Sequence, residues 1–280
     1  MAIFDRFKKN ENSEMTFIDH LEALRGTIVR SLFCILTLSL IIFLYRNFIM
    51  DVVITGPINP DFISYRAFCK LSHFLHLGNS LCLPPVKVVM QSTTFGGQFL
   101  SSISMSFIGG IILSFPFIFY QFWVFIKPAL KENELKNTRF IIFWVSLFFF
   151  LGILFGYFVL APFTFNFLAS FQLGTQGIIT TIPTFADYID NFTNLILGCG
   201  IAFELPIFVF ILTKIGIITP EFLSTTRKYA VVIILFISAF ITPSPDWYSL
   251  IIVFIPLYTL FELSIFVSKW AIKKEVKEFQ

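Results

Sequence analysis

Six long apolar runs constrain this chain more than any other feature. They cover roughly Gly26–Tyr45, Phe99–Ile126, Phe140–Ala161, Leu195–Leu212, Tyr229–Thr242 and Leu250–Val267. A helix rises about 1.5 Å per residue and a bilayer core is about 30 Å thick, so a crossing needs about 20 residues. The first three runs meet that length. The fifth reaches only about 21 Å on the same rise, so it must thin the bilayer or lean on neighbouring helices. The runs are continuous rather than alternating, which selects helices over a barrel. Charged residues make up 13% of the chain, against about 25% in a soluble domain. A water-facing fold cannot hide that much apolar surface. The first run is too long for the apolar part of a secretory signal, and no small-residue cleavage site follows it. The expected fold is all-α: a single integral membrane domain over 1–280, with six transmembrane helices in a concave bundle whose two C-terminal spans are short.

Basic residues set the expected orientation. Sixteen of the twenty Lys and Arg side chains fall in the N-terminal segment and the start of the first span, the loops after the second and fourth spans, and the C-terminal tail. The other four, Arg46, Arg66, Lys70 and Lys87, share one loop. The positive-inside rule then places both termini in the cytoplasm. Residues 1–25 read as a cytoplasmic lead, 46–98 as a long extracytoplasmic loop and 268–280 as a cytoplasmic tail. Trp123, Trp144 and Trp270 lie near the cytoplasmic boundaries, where indole rings favour the interface. The middle of the long loop, "YRAFCKLSHFLHLGNSLC", suits a short amphipathic helix. The second outer loop is expected over about Asn166 to Asn194, and "TPSPDWYS" as a tight proline turn. Pro116, Pro162, Pro206 and Pro256 lie in or beside spans, where each removes a backbone donor and bends its helix. A net charge of +3 gives no argument for a nucleic-acid partner.

Acidic side chains are the candidate chemistry. Glu204 interrupts "IAFELPIFVF" ten residues before Lys214, about 15 Å along a helix axis and so near mid-bilayer. A carboxyl group there must be neutral, paired or in contact with water, and such groups are usually functional. Glu262 lies seven residues before Lys269, closer to the cytoplasmic face, where it is expected to snorkel or pair with nearby lysines. "FIDHLEALRGTIVRS" places Asp19, His20, Glu22 and Arg25 at the inner surface, and "KPALKENELK" adds Glu132 and Glu134. A carboxylate cluster suits guanidinium groups, which it pairs bidentately. Cys69 and Cys82 share the outer loop. An oxidising compartment allows a disulfide between them, although spacing alone does not give their Cα separation. With His73 and His76 they also weakly match a zinc spacing. Neither a metal nor a cofactor is expected. A proton- or ion-coupled solute transporter with Glu204 as its titrating site is one reading, but no internal repeat supports it. An intramembrane enzyme is another, but no nucleophile or metal constellation surrounds the acid.

Several stretches together resemble the TatC family, the multi-spanning receptor subunit of the twin-arginine protein translocase. "HLEALR" resembles its N-terminal HLEELR-type motif. "FPFIFYQFWVFIKPAL" (Phe115–Leu130) resembles its signature before the first cytoplasmic loop, with Glu134 at that loop's glutamate. "FELP" (Phe203–Pro206), "TPSPD" (Thr242–Asp246) and "IPLYTLFE" (Ile255–Glu262) resemble later motifs. The resemblance implies binding of twin-arginine signal peptides at the cytoplasmic face through Glu134 and Glu132, helped by Glu22 and Arg25. It implies transport of folded proteins driven by the proton-motive force, no catalytic residue and no prosthetic group. It further implies small single-span subunits of the TatA/TatB type as partners, self-association, and a multi-pass place in the inner membrane of a prokaryote. Glu204, Pro206 and Glu262 would serve the membrane interior and partner contacts, and Asp246 the outer turn. Pro57, Pro116 and Phe125 would be structural. Two positions depart from the pattern. Ala23 stands where the motif usually has glutamate, and Leu250 where glutamine often follows serine. Glu22 is one place too early, about 100° around the helix. Either it belongs to a shifted surface, or Glu132 and Glu134 carry more of the recognition, or binding is weaker.

Overall fold

The computed structural model describes residues 17–74, 76, 78, 82, 88–126, 138–171, 182–214, 216–243 and 247–278. In chain order the elements are α1 (Phe17–Leu44), α2 (Arg46–Phe48), a π-helical turn (Ile49–Ile54), a 3-10 turn (Gly56–Ile58), α3 (Ile63–Phe74) and α4 (Gly97–Ile126). They continue with α5 (Thr138–Phe155), a second π-helical turn (Gly156–Leu160), α6 (Ala161–Ser170), α7 (Phe185–Ala202) and α8 (Leu205–Lys214). The last are α9 (Pro220–Thr225), α10 (Arg227–Ile241) and α11 (Trp247–Glu278). The β-structure among the described residues is one bridge between Gln91 and Thr184. The expected all-α architecture is observed.

Among the described residues five helical stretches are long and apolar enough to cross a membrane: His20–Leu44, Gly97–Phe125, Ile141–Ser170, Phe185–Lys214 and Ser249–Trp270. Three boundaries differ from the sequence expectation. The third stretch runs past Ala161 to Ser170, because the π-turn ahead of Pro162 lets the helix continue. That turn holds Phe158, the residue whose carbonyl the proline ring would otherwise strike. The fourth begins at Phe185, within the stretch read as a loop. The Thr184 side chain accepts the Asp187 backbone N–H at 3.1 Å and caps the helix. The last stretch has 22 residues and is not short, and α11 runs on through the basic tail to Glu278. Only α10, with 15 residues, is short, at about 22 Å.

The surface and the interior fit a lipid surround. Phe236 and Phe240 of α10 are 76% and 88% exposed, a cost in water that hydrocarbon removes. Buried Phe149, Leu160, Ile189, Leu195, Val253 and Leu257 form the interior. α1 lies along α4, α7 packs on α5 and α4, and α8 packs on α11. Where α5 crosses α7 the backbones nearly touch: a Cβ on Gly152 would fall 2.9 Å from the Gly200 Cα. Such close approach replaces the missing hydrophobic drive between helices in lipid.

Beyond α1 the chain leaves regular α-helix, and three tyrosines satisfy its carbonyls. Tyr157 donates its hydroxyl to Val53 O at 2.9 Å, Tyr188 to Ile54 O at 2.6 Å, and Tyr65 to Pro57 O at 2.7 Å. Irregular backbone at a membrane edge needs such partners. Burial pushes the Tyr65 phenol above its ordinary range, so it stays a neutral donor. α3 forms over the expected amphipathic stretch and packs Phe68 on Phe163, ring centroids 4.7 Å apart.

Candidate functional site

The antiparallel course of α1 and α4 brings two of the singled-out motifs together. At one end Phe43 meets Phe99 edge-on at 6.1 Å. At the other, His20 stacks on Phe125, centroids 4.3 Å apart and planes 25° from parallel. The HLEALR segment therefore starts against the end of the Phe115–Leu130 signature. Glu22 and Arg25 are exposed on α1, Ala23 is half-buried, and neither charged residue enters an ion pair among the described residues. Beside them Gln121 and Trp123 are buried, at 8% and 5% exposure. The Trp123 Nε1–H lacks an acceptor among the described residues, and the ring lies against Phe119 of the same helix, centroids 6.2 Å apart. Trp144 and Trp270 are about half exposed. Glu132 and Glu134 fall in 127–137, between α4 and α5, outside the described residues.

Glu204 sits in the break between α7 and α8. Pro206 lacks the N–H that would bond the Ala202 carbonyl four residues back, so the helix is interrupted at Phe203 and Glu204. The Glu204 carbonyl then restarts it, accepting from the Ile207 and Phe208 N–H groups at 3.1 and 2.9 Å. The side chain is half-buried, and its Oε1 is enclosed with no hydrogen-bond partner among the described residues. Among the described residues no charged side chain pairs with it.

Glu262 behaves differently. Its Oε2 accepts from the Arg227 guanidinium at 2.9 Å and its Oε1 from the Tyr258 hydroxyl at 3.1 Å. The partner is an arginine at the start of α10 rather than a tail lysine. Asp246 lies outside the described residues. Pro57 is buried in the 3-10 turn that packs on α6, and Pro116 lies inside α4. Cys69 and Cys82 are joined as a disulfide, with Cα atoms 4.3 Å apart. The His73 Nε2 lies 4.0 Å from the Cys82 Sγ. These three donors lie within 4.8 Å of one another, but the disulfide occupies both sulfurs. Sequence reasoning missed the three carbonyl-binding tyrosines, and also Arg227; the partners of Arg227, Tyr157 and Tyr188 are remote in the chain, whereas Tyr65 reaches Pro57 only eight residues away. It also missed Thr184, which the spacing Thr184-x-x-Asp187 signals as a helix start.

Known proteins share this arrangement. The family model "Sec-independent protein translocase protein (TatC)" matches residues 19–256. The TatC protein of Blattabacterium sp. subsp. Periplaneta americana is 41% identical over 268 residues, covering 95% of this chain and 100% of its own length. That of Aquifex aeolicus is 34% identical over 266 residues, covering 95% and 99%. Two crystal structures of the twin-arginine translocase receptor TatC are similar. One has 33% identity, a TM-score of 0.65 and coverage of 90% of this chain and 99% of its own. The other, in DDM, has 32% identity, a TM-score of 0.68 and coverage of 89% and 99%. A match over most of the length, in sequence and in helix arrangement, means that this chain belongs to the TatC family of Sec-independent protein translocase components.

Proposed function

We propose that this multi-pass membrane protein is the receptor and core subunit of a twin-arginine translocase. It binds signal peptides carrying paired arginines and, with small single-span subunits of the TatA/TatB type and further copies of itself, passes folded proteins across the membrane on the proton-motive force. The observation that carries the reading is the His20–Phe125 stack, which joins the HLEALR segment to the end of the α4 signature in a chain of this family. The distribution of basic residues supports a cytoplasmic position for that face. On this reading α10 is a short fifth of six spans in a concave bundle, and both termini face the cytoplasm of a prokaryotic cell bounded by this inner membrane. Glu132 and Glu134, helped by Glu22 and Arg25 of the HLEALR segment, receive the two guanidinium groups. Glu204 and Pro206 serve the insertion of the peptide and of partner helices, and Asp246 the outer turn. The family match favours this over a solute transporter with Glu204 as its titrating group.

Binding of synthetic signal peptides to the full-length protein in detergent tests the proposal. Replacing Arg-Arg by Lys-Lys should remove most of the affinity, because ammonium groups cannot form the bidentate pairs. Glu134→Ala should cost the roughly 1.5–3 kcal/mol of a charge-assisted hydrogen bond, and Ala23→Glu should tighten binding. Equal affinity for both peptides would refute the receptor reading.

A further inference from the structure

A cavity of about 640 Å³ opens on the side of the bundle away from the His20–Phe125 contact. Its walls come from three spans at the same level. Arg46 and Asn47 lie just past the end of the stretch His20–Leu44, Gln98 and Phe99 just inside the start of Gly97–Phe125, and Phe185 at the start of Phe185–Lys214. Three spans that end or begin around one cavity place it at the depth of lipid headgroups, not in the hydrocarbon or in open water.

The lining divides by chemistry. Arg46, Asn47, Gln91, Gln98 and Ser102 supply a cation, amides and a hydroxyl, whereas Met105 and Phe99 supply apolar wall. Among the described residues no acid lines the cavity. The nearest carboxylate along α7, Asp187, is engaged by the Thr184 hydroxyl at 2.6 Å. Arg46 has no acidic partner among the described residues. Its guanidinium lies over the Phe43 ring, 5.1 Å from the centroid, and reaches the Phe43 carbonyl at only 3.4 Å. Phe43 in turn meets Phe99, so the charge is held over an aromatic pair that bridges α1 and α4. An arginine at a helix end ordinarily snorkels into open headgroups. Here it borders an open recess, lined by exposed Asn47, Gln91 and Gln98, that offers several hydrogen-bonding groups to one ligand.

We infer that this cavity binds an anionic phospholipid of the adjoining leaflet. Arg46 and the surrounding amides hold the phosphate, and an acyl chain lies along Phe43 and Phe99. The inference does not depend on the peptide-binding reading of the opposite face. It is tested on the full-length protein in neutral detergent by native mass spectrometry with phosphatidylglycerol and phosphatidylcholine of matched chains. Wild type should retain phosphatidylglycerol about tenfold more strongly, as a charge-assisted contact implies. Arg46→Gln should abolish the preference, Arg46→Lys should keep most of it, and Ser102→Phe, which fills the cavity, should lower retention of both lipids. No headgroup preference in wild type, or an undiminished one in Arg46→Gln, overturns the inference. Displacement of the lipid by millimolar glycerol 1-phosphate would mark a soluble-phosphate site, and one-for-one displacement by a signal peptide a peptide site. Either result overturns the lipid assignment.

Discussion

Neutralising Glu262 separates a strut inside the chain from a contact surface for another protein. Both of its oxygens are engaged, one by Arg227 and one by Tyr258, so the carboxylate ties the start of α10 to α11. The Arg227 and Glu262 side chains are 50% and 35% exposed, which puts the ion pair near the top of the about 0.2–1 kcal/mol measured for exposed pairs. The tyrosine hydroxyl gives the carboxylate a second hold. Glu262→Gln keeps the shape and one acceptor but drops the charge, so it should cost about 1 kcal/mol. Arg227→Gln should cost about 1 kcal/mol, and the double variant less than the sum, with a coupling near 1 kcal/mol. The assay is thermal unfolding of all four proteins in one detergent. For a chain of this size 1 kcal/mol moves the midpoint by roughly 2–4 °C. Additive losses would show that the two side chains do not support each other. No loss in Glu262→Gln would refute the strut altogether.

Three further outcomes are expected. Tyr188→Phe strips the donor from the Ile54 carbonyl in a buried place and should cost about 1–3 kcal/mol, read from the same melting curves. Gly152→Ala drives a methyl group against the α7 backbone and should destabilise by about 1–3 kcal/mol. Gly26→Ala, with nothing within 4 Å of the added carbon, should be neutral or stabilising by up to about 1 kcal/mol; equal effects at the two sites would deny the close crossing of α5 and α7. Opening the Cys69–Cys82 bridge, 13 positions apart in sequence, releases about 3 kcal/mol of loop-closure entropy to the unfolded chain. Reductant should therefore lower the melting midpoint of wild type but not of Cys69→Ser/Cys82→Ser.

Hydropathy made most of the helices legible, because lipid demands long unbroken apolar runs. It failed at helix ends, where hydropathy and helicity part. Asp187, Asp190, Asn191 and Asn194 read as loop, yet they sit in the first turns of α7, where a threonine cap starts a helix whatever its polarity. The lysines after Trp270 end an apolar run but not α11, since lysine is a good helix former. Within the candidate site, the break at Phe203 and Glu204 was readable from Pro206. The Arg227–Glu262 pair, 35 positions apart, was not, because no local pattern encodes which two helix ends will meet. The same holds for the tyrosines whose hydroxyls serve carbonyls more than a hundred residues away.

The interruption at Phe203 and Glu204 joins two half-helices that answer to different neighbours, α7 to α5 and α4, α8 to α11. A rod divided where its main neighbour changes can meet each one at its own angle without bending along its length, and the division falls at the acid.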